Sequence, residues 1–227
     1  MESLLHKILL STPVNLFDAF MTECQKWYDQ PAHTFTEMRT RDNKKIRGDI
    51  FEDFTVLYLR YARGYKNVWR LQDVPVDIMT KLGLQRQDMG IDIVAETETG
   101  FSAVQCKYKK HRSIKRNILT WKQLSTFYAL CMRTGPWEKY IVVTNCDYAR
   151  HMGKKSKKDL SICMKTLRKI TKEQWTKMCQ LEGATVAATG AGQEAPTTSK
   201  AVTNPTTIDE LRAARLARFT QVKPTNN

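Results

Sequence analysis

The chain has 227 residues, which suits one domain of ordinary size with extensions and would be cramped for two. Its 37 Lys and Arg outnumber its 23 Asp and Glu, and the formal net charge of +14 favours a polyanionic partner such as nucleic acid. Its six cysteines are widely spaced and form no CxxC or Cys/His cluster, which argues against a zinc site and a disulfide framework. The N-terminal apolar run is too short for a signal peptide or a membrane span. We therefore expect a soluble intracellular protein of the cytoplasm, nucleus or nucleoid that is not secreted and does not bind membranes.

The N-terminal segment is predicted to be helical. Residues 1–30 show the apolar spacing of two helices with a break at residues 11–13, where Pro13 suits the first turn of the second helix, and residues 31–45 read as a polar, basic loop. This segment is interpreted as an extension that packs on a core.

A strong helix is predicted over residues 46–63. Its apolar stripe leaves Glu52 on the flank, on a second and partly apolar face with Thr55 and Leu59. Glu52 is therefore either a solvated carboxylate or a residue that faces a sheet.

Residues 88–107 read as two short strands joined by a turn. A four-residue loop at 97–100 pairs Asp92 with Gln105, and a two-residue loop at 99–100 pairs it with Lys107; both place the three side chains on one face. The four-residue loop is favoured, because a two-residue type I′ turn would force a positive φ on Thr99. A three-residue loop would separate the acid from the other two side chains. An acid, an amide oxygen and an ammonium on one face suit a site that holds a hard divalent cation and positions a water. The alternative is an ordinary hairpin with a cross-strand Asp–Lys pair.

Further elements complete an α/β pattern. Residues 67–72 are predicted as a strand, 117–132 as a long helix and 140–144 as a buried central strand, whereas 74–84 is ambiguous between helix and extended chain. The order α, β, β, β, α, β around one sheet indicates an α/β domain. Two more helices are predicted near residues 160–170 and 172–181.

Two basic runs flank the strand at 140–144. Their members are Lys109, Lys110, Arg112, Lys115 and Arg116 in the first run, and Lys154, Lys155, Lys157 and Lys158 in the second. Such runs are usually solvated faces, but the large positive excess favours a nucleic-acid groove between them, with binding that weakens as salt rises.

The composition changes near the C-terminus. Residues 183–207 are rich in Ala, Thr, Gly and Pro and are predicted to be a flexible linker. Residues 208–227 are predicted to form a short basic amphipathic helix and a tail.

One series of motifs resembles a known family. The series consists of Gly48 and Phe51-Glu52 on the helix, Gly64-Tyr65, Asp88-x-Gly90-Ile91-Asp92-Ile93, and Gln105-Cys106-Lys107. It is similar to the Mrr-like branch of the PD-(D/E)xK nucleases, over about residues 46–145. The resemblance implies a restriction-endonuclease-like core at 46–182, with a mixed central sheet flanked by helices, after an N-terminal helical extension at 1–45.

The resemblance also implies roles for site residues. Asp92 would be the principal ligand of Mg²⁺, for which Mn²⁺ can substitute. The backbone carbonyl of Cys106 would be a second ligand, and Glu52 would bind directly or through water. Gln105 stands where the founding motif has an acid, and its neutral amide oxygen is a weaker ligand for a hard cation. Lys107 would orient or activate the attacking water.

The implied activity is hydrolysis of DNA phosphodiester bonds by a metal-dependent endonuclease of the restriction, repair or resolvase type. Gln123, Thr144 and Asn145 are expected to contact backbone phosphates, and the family leaves open a homodimer and a helicase partner or fusion. Two alternatives stay open. One is a catalytically weak nuclease-fold module that binds DNA or is recruited to a helicase, and the other is an RNA-processing nuclease.

Overall fold

The computed structural model describes residues 1–29, 43–87, 90–110, 117–150 and 156–180. The helices are α1 (Glu2–Leu10), α2 (Leu16–Asp29), α3 (Asn43–Leu57), α4 (Val76–Leu82), α5 (Ser125–Arg133), α6 (Met164–Leu167) and α7 (Lys172–Gln180). The strands are β1 (Asn67–Arg70), β2 (Ile93–Glu96), β3 (Phe101–Lys107), β4 (Ile118–Leu119), β5 (Lys139–Thr144), β6 (Tyr148–Ala149) and β7 (Asp159–Ile162). The predicted linker at 183–207 and the predicted helix at 208–227 lie outside the described residues.

The central sheet is mixed, as predicted. Its strand order is β1-β2-β3-β5-β7. β2 runs antiparallel to β1 and β3, whereas β3, β5 and β7 are parallel. A small second sheet pairs β4 with β6. The predicted order α, β, β, β, α, β is found in α3, β1, β2, β3, α5 and β5, with α4 inserted between β1 and β2 and β4 inserted between β3 and α5.

The sheet separates two hydrophobic cores, because successive side chains of a strand point to opposite faces. Val104 and Cys106 of β3 pack in a core formed with α1, α2, α3, α6 and α7. Ala103 of the same strand packs in the other core, with α4 and α5. Both faces of β3 and β5 are covered, which explains why the buried centre of β5, Ile141 to Val143, is apolar.

The N-terminal helices agree with the prediction, with one change at their junction. Pro13 lies before α2, not in its first turn. The helix is capped by Asn15, whose side-chain Oδ1 accepts hydrogen bonds from the backbone amides of Phe17 and Asp18, both at 3.1 Å.

The stretch at 74–84, ambiguous between helix and extended chain, contains α4 and is thus helical. Two predicted segments differ from the structure. The long helix predicted at 117–132 is instead β4, a 3₁₀ turn and the shorter α5. The helix predicted near 160–170 begins as β7, a strand that pairs with β5. Pairing along the edge of the sheet outweighs the helical spacing there, since tertiary context often overrides local propensity.

α3 continues into a π-helical turn at Tyr58–Ala62, where the amide of Arg63 donates to the carbonyl of Tyr58 at 3.0 Å. In the described part of the chain, no helix combines the length and apolar character needed to cross a bilayer.

Candidate active site

The hairpin formed by β2 and β3 has the four-residue loop that was predicted. Glu96 pairs with Phe101, so residues 97–100 form the loop, and the register continues to the pair Ile93–Val104. One step further the ladder is irregular, because the amide of Asp92 also donates to the carbonyl of Val104, at 2.9 Å. Asp92 and Ile93 thus both lie opposite Val104, as in a β-bulge. The regular pairing of Asp92 with Gln105 is therefore not formed.

Asp92 is held at three points. Its amide bonds β3, its carbonyl accepts the amide of Leu71 at 2.8 Å, and its carboxylate Oδ2 accepts the amide of Cys106 at 2.6 Å. A carboxylate has about four lone-pair sites, so a carboxylate fixed through one oxygen can still coordinate a cation. At the bulge, a ladder hydrogen bond is thus replaced by one to the carboxylate of Asp92, the residue directly before β2.

Glu52 lies on the side of α3 that faces the sheet. Thr55 and Leu59, which share its side of the helix, are both 0% exposed, and the thiol of Cys106 hydrogen-bonds Thr55. Glu52 and Asp92 line one cavity of about 240 Å³. The structure thus brings together two carboxylates that are forty residues apart in sequence.

Gln105 and Lys107 flank Cys106 on β3, so each lies one residue from the point where the Asp92 carboxylate contacts that strand. Gln105 is 2% exposed, and its Oε1 has no hydrogen-bond partner among the described residues. Neither Gln105 nor Lys107 lines the cavity of Glu52 and Asp92. The amide and carbonyl of one strand residue point to the same neighbouring strand. The Cys106 carbonyl therefore points, like its amide, toward Asp92 at the beginning of β2.

The charges around Cys106 reflect this arrangement. Burial raises the pKa of its thiol well above the usual range, and the carboxylates of Asp92 and Glu52 raise the pKa further. The ammonium of Lys107 acts in the opposite direction and lowers it. Two acids and one base thus surround a single buried position on β3.

Thr144 and Asn145 position the chain that leaves β3. Thr144 is 0% exposed and donates through Oγ1 to the carbonyl of Lys107 at 2.6 Å. Asn145 is 1% exposed, and its side chain accepts the amide of Lys109 at 2.7 Å and donates to the carbonyl of Lys109 at 2.6 Å. Buried and bonded in this way, the two side chains support the backbone around Lys107 and are not available to contact phosphates.

The first basic run is only partly described. The ammonium of Lys109 donates to the carbonyl of Ile118 and to Oε1 of Gln123, both at 2.8 Å. Lys109 and Gln123 therefore hold β3 to the segment before α5. Lys110 is exposed just beyond Lys109. The remaining members of this run, Arg112, Lys115 and Arg116, lie outside the described residues.

Lys157 and Lys158, the described members of the second basic run, lie away from Lys109 and Lys110 of the first. Lys158 lies where β7 begins, and its carbonyl accepts the amide of Tyr140 at 2.9 Å. Thr144, not Tyr140, is level with Lys107, so the two ends are four residues apart along β5, or about 13 Å. Lys157 and Lys158 thus lie toward the opposite end of the sheet, because a parallel strand must begin there. Lys154 and Lys155 lie outside the described residues.

The cavity also contains residues that the sequence did not single out. They are Lys45, Asp49, Arg70 and Arg86. Arg70 bridges to α3, whereas Arg86 donates to the carbonyl of Gln72 and forms no salt bridge within the described part of the chain. An Arg at a strand end and another in a turn carry no sequence signal of their own, and only the fold brings them to Asp92.

The residues present fit a single hard cation. Asp92 and Glu52 provide carboxylate oxygens in one cavity, whereas Gln105, whose buried Oε1 has no hydrogen-bond partner among the described residues, does not line it. Over the same ranges, no group of three or more His, Cys, Asp and Glu side chains is arranged to hold a metal. Mg²⁺ keeps several waters and needs only one or two protein carboxylates, so this donor set is suitable.

Comparison with known proteins gives one match. The family described as restriction endonuclease matches residues 59–181, which is more than half of the chain. The match includes the hairpin of Asp92 and Lys107, whereas Glu52 lies outside it. Neither curated proteins nor solved structures give a match. The fold and the matched span agree, and the chain belongs to the Mrr-like family of restriction-endonuclease-like nucleases.

Proposed function

We propose that this nuclease is a Mg²⁺-dependent endonuclease that hydrolyses phosphodiester bonds in DNA. The observation that carries the proposal is the cavity shared by Asp92 and Glu52, beside the strand that bears Gln105 and Lys107. A bound divalent cation supplies Lewis-acid polarisation of a phosphoryl oxygen and lowers the pKa of a water.

The side chains divide into two groups. Asp92 and Glu52, with the carbonyl of Cys106, would hold the cation, and Gln105 would add a neutral oxygen. Lys107 would orient the attacking water and offset the negative charge that develops on the phosphate. The hydrogen bond from Thr144 to the Lys107 carbonyl fixes the backbone from which this ammonium extends.

Two basic side chains at the rim of the cavity favour binding of a polyanion such as DNA. Lys45 and Arg86 are both exposed and line the same cavity as the two carboxylates. In our proposal they contact phosphates next to the one that is cut, and Lys110 extends the basic surface beyond β3. Phosphate contacts of this kind position a duplex without reading its sequence.

Cleavage of supercoiled plasmid tests the proposal. The wild type should nick the plasmid in Mg²⁺ or Mn²⁺ and should be inactive in EDTA. Asp92→Asn and Lys107→Ala should each reduce the single-turnover rate by about 100-fold or more, since each removes a group that acts on the reacting phosphate. Equal nicking by the wild type and both variants would remove these residues from the mechanism.

A matched control guards against loss of folding. Lys66 is exposed near the far end of α3 and β1, and Lys66→Ala should nick DNA like the wild type. Circular dichroism should show that all variants retain the native spectrum.

A second candidate is a nuclease-fold module that binds DNA but cuts it weakly. The neutral side chain of Gln105 favours it, since an amide is a poorer ligand for Mg²⁺ than a carboxylate. If salt-sensitive DNA binding is found while no substrate is cut in Mg²⁺ or Mn²⁺, this function replaces the first.

A further inference from the structure

Arg70 joins the two elements that carry the site carboxylates. It is the last residue of β1 and pairs with Ile93, next to Asp92. Its Nη2 donates to the backbone carbonyl of Asp49 at 2.6 Å and lies 2.5 Å from Oδ1 of Asp53. Asp49 and Asp53 are one helical turn apart on α3, so one guanidinium holds the turn that carries Glu52.

Leu71, the residue that follows β1, holds the backbone of the other acid, Asp92. The amide of Leu71 donates to the carbonyl of Asp92 at 2.8 Å. Two successive residues therefore hold the two acids. Arg70 fixes α3, and Leu71 fixes the backbone of Asp92 where β2 begins. Arg70 also lines the cavity in which Glu52 and Asp92 meet.

The contact of Arg70 with α3 is well placed to set the distance between Glu52 and Asp92. The Arg70 side chain is 19% exposed, and the planar guanidinium has few ways to satisfy both partners on α3. The π-helical turn that continues α3 is attached to β1 by Arg60, whose Nη2 donates to the carbonyl of Val68 at 2.7 Å. Arg60 follows Glu52 by two helical turns, so Arg70 holds α3 near the site, whereas Arg60 holds the continuation of α3 away from it.

We propose that Arg70 is a positioning residue that sets the spacing between the carboxylates of Glu52 and Asp92, and so the affinity of the site for a divalent cation. This role rests on the proposed function, because it assumes that these carboxylates bind the cation. Arg70 does not act on the phosphate. It acts through Glu52, by fixing the helical turn on which that side chain is mounted.

The test is cation binding by the full chain, measured by isothermal titration with Mg²⁺ in the absence of DNA. Arg70→Ala should weaken Mg²⁺ binding by about 10-fold or more, as is typical when a partner that orients a ligand is lost. Arg70→Lys should recover part of the affinity, since its single ammonium can reach one of the two partners. Arg60→Ala is the matched control, and it should lower thermal stability without changing the Mg²⁺ affinity.

A double-mutant comparison separates positioning from general stability. If Arg70 acts through Glu52, the Mg²⁺ affinity of Glu52→Gln should change by less than about 2-fold when Arg70→Ala is added. The Mg²⁺ concentration at half-maximal nicking should follow the same pattern, with most of the rate recovered at high Mg²⁺. If Arg70→Ala does not fold, Asp53→Asn and Arg70→Lys provide the same comparison with a smaller expected shift.

The possible failures are distinct. A wild type that neither binds Mg²⁺ nor cuts DNA would overturn the proposed function and this inference together. A wild type that does both, with Arg70→Ala reducing only thermal stability or adding its full effect to Glu52→Gln, would overturn the role of Arg70 alone.

Discussion

Asn145→Ala tests whether the exit of β3 is supported as the structure indicates. The substitution removes two hydrogen bonds, at 2.7 and 2.6 Å, from the backbone amide and carbonyl of Lys109. A buried polar group left without a partner costs about 1–3 kcal/mol. Asn145 is 1% exposed and Lys109 is half-buried, so water can reach only part of the gap. We expect a loss of about 2–4 kcal/mol in the free energy of unfolding.

Urea-induced unfolding at pH 7 measures this loss, with Asn67→Ala as the control. Asn67 is the first residue of β1, beside the loop end of the hairpin, and its Nδ2 donates one hydrogen bond, to Oε2 of Glu96 at 2.7 Å. That bond is only part-buried, so its removal should cost about 1 kcal/mol or less. The nicking rate of folded Asn145→Ala should also fall, because Lys107 is two residues from the released backbone. Equal destabilisation by the two variants, with nicking unchanged, would refute this role of Asn145.

Other predictions concern the rim of the cavity, the ligand set and the response to pH. Arg86→Ala should weaken binding to a DNA duplex and reduce the slope of log affinity against log salt by about 1, whereas Lys158→Ala should leave both unchanged because it lies toward the other end of the sheet. Equal effects of the two variants in fluorescence anisotropy would contradict that placement. Gln105→Glu should lower the Mg²⁺ concentration at half-maximal nicking, since it supplies a charged oxygen, and an unchanged or higher midpoint would exclude Gln105 from the ligand set. Burial raises the pKa of Cys24 from 9.0 to about 12. The folded state then keeps a proton that the unfolded state loses, and the free energy of unfolding should fall by up to about 1.4 kcal/mol per pH unit above pH 9. Urea unfolding of Cys24→Ala should show a shallower slope between pH 9 and 12, and an unchanged slope would show that this thiol does not contribute.

The sequence carried the local features of the site. Alternation along β3 and the turn residues at 97–100 were enough to predict the hairpin and its loop. The helical spacing around Glu52 showed a flank of mixed character, and the resemblance to a nuclease family supplied the reason to place it near Asp92. These features depend on residues close in sequence or on a motif that spans them.

The remaining features depend on the fold. At the bulge, the amide of Cys106 donates to the carboxylate of Asp92 instead of to a backbone carbonyl. The two-residue periodicity of a strand cannot predict this replacement. Thr144 and Asn145 looked like polar residues at a strand end, but the parallel pairing of β5 with β3 buries them against the chain beyond Lys107. Lys158 looked like part of the same basic surface as Lys109, yet the direction of β7 carries it toward the other end of the sheet.

The most direct test of the site is to locate the cation itself. Crystals of the protein soaked in Mn²⁺ should show an anomalous difference peak within bonding distance of the carboxylates of Asp92 and Glu52 and of the carbonyl of Cys106. The peak should be lost in Asp92→Asn. A protein that cuts DNA in Mn²⁺ but shows no peak at this position, or shows its peak at Asp49 and Asp53 instead, would contradict the assignment of the site.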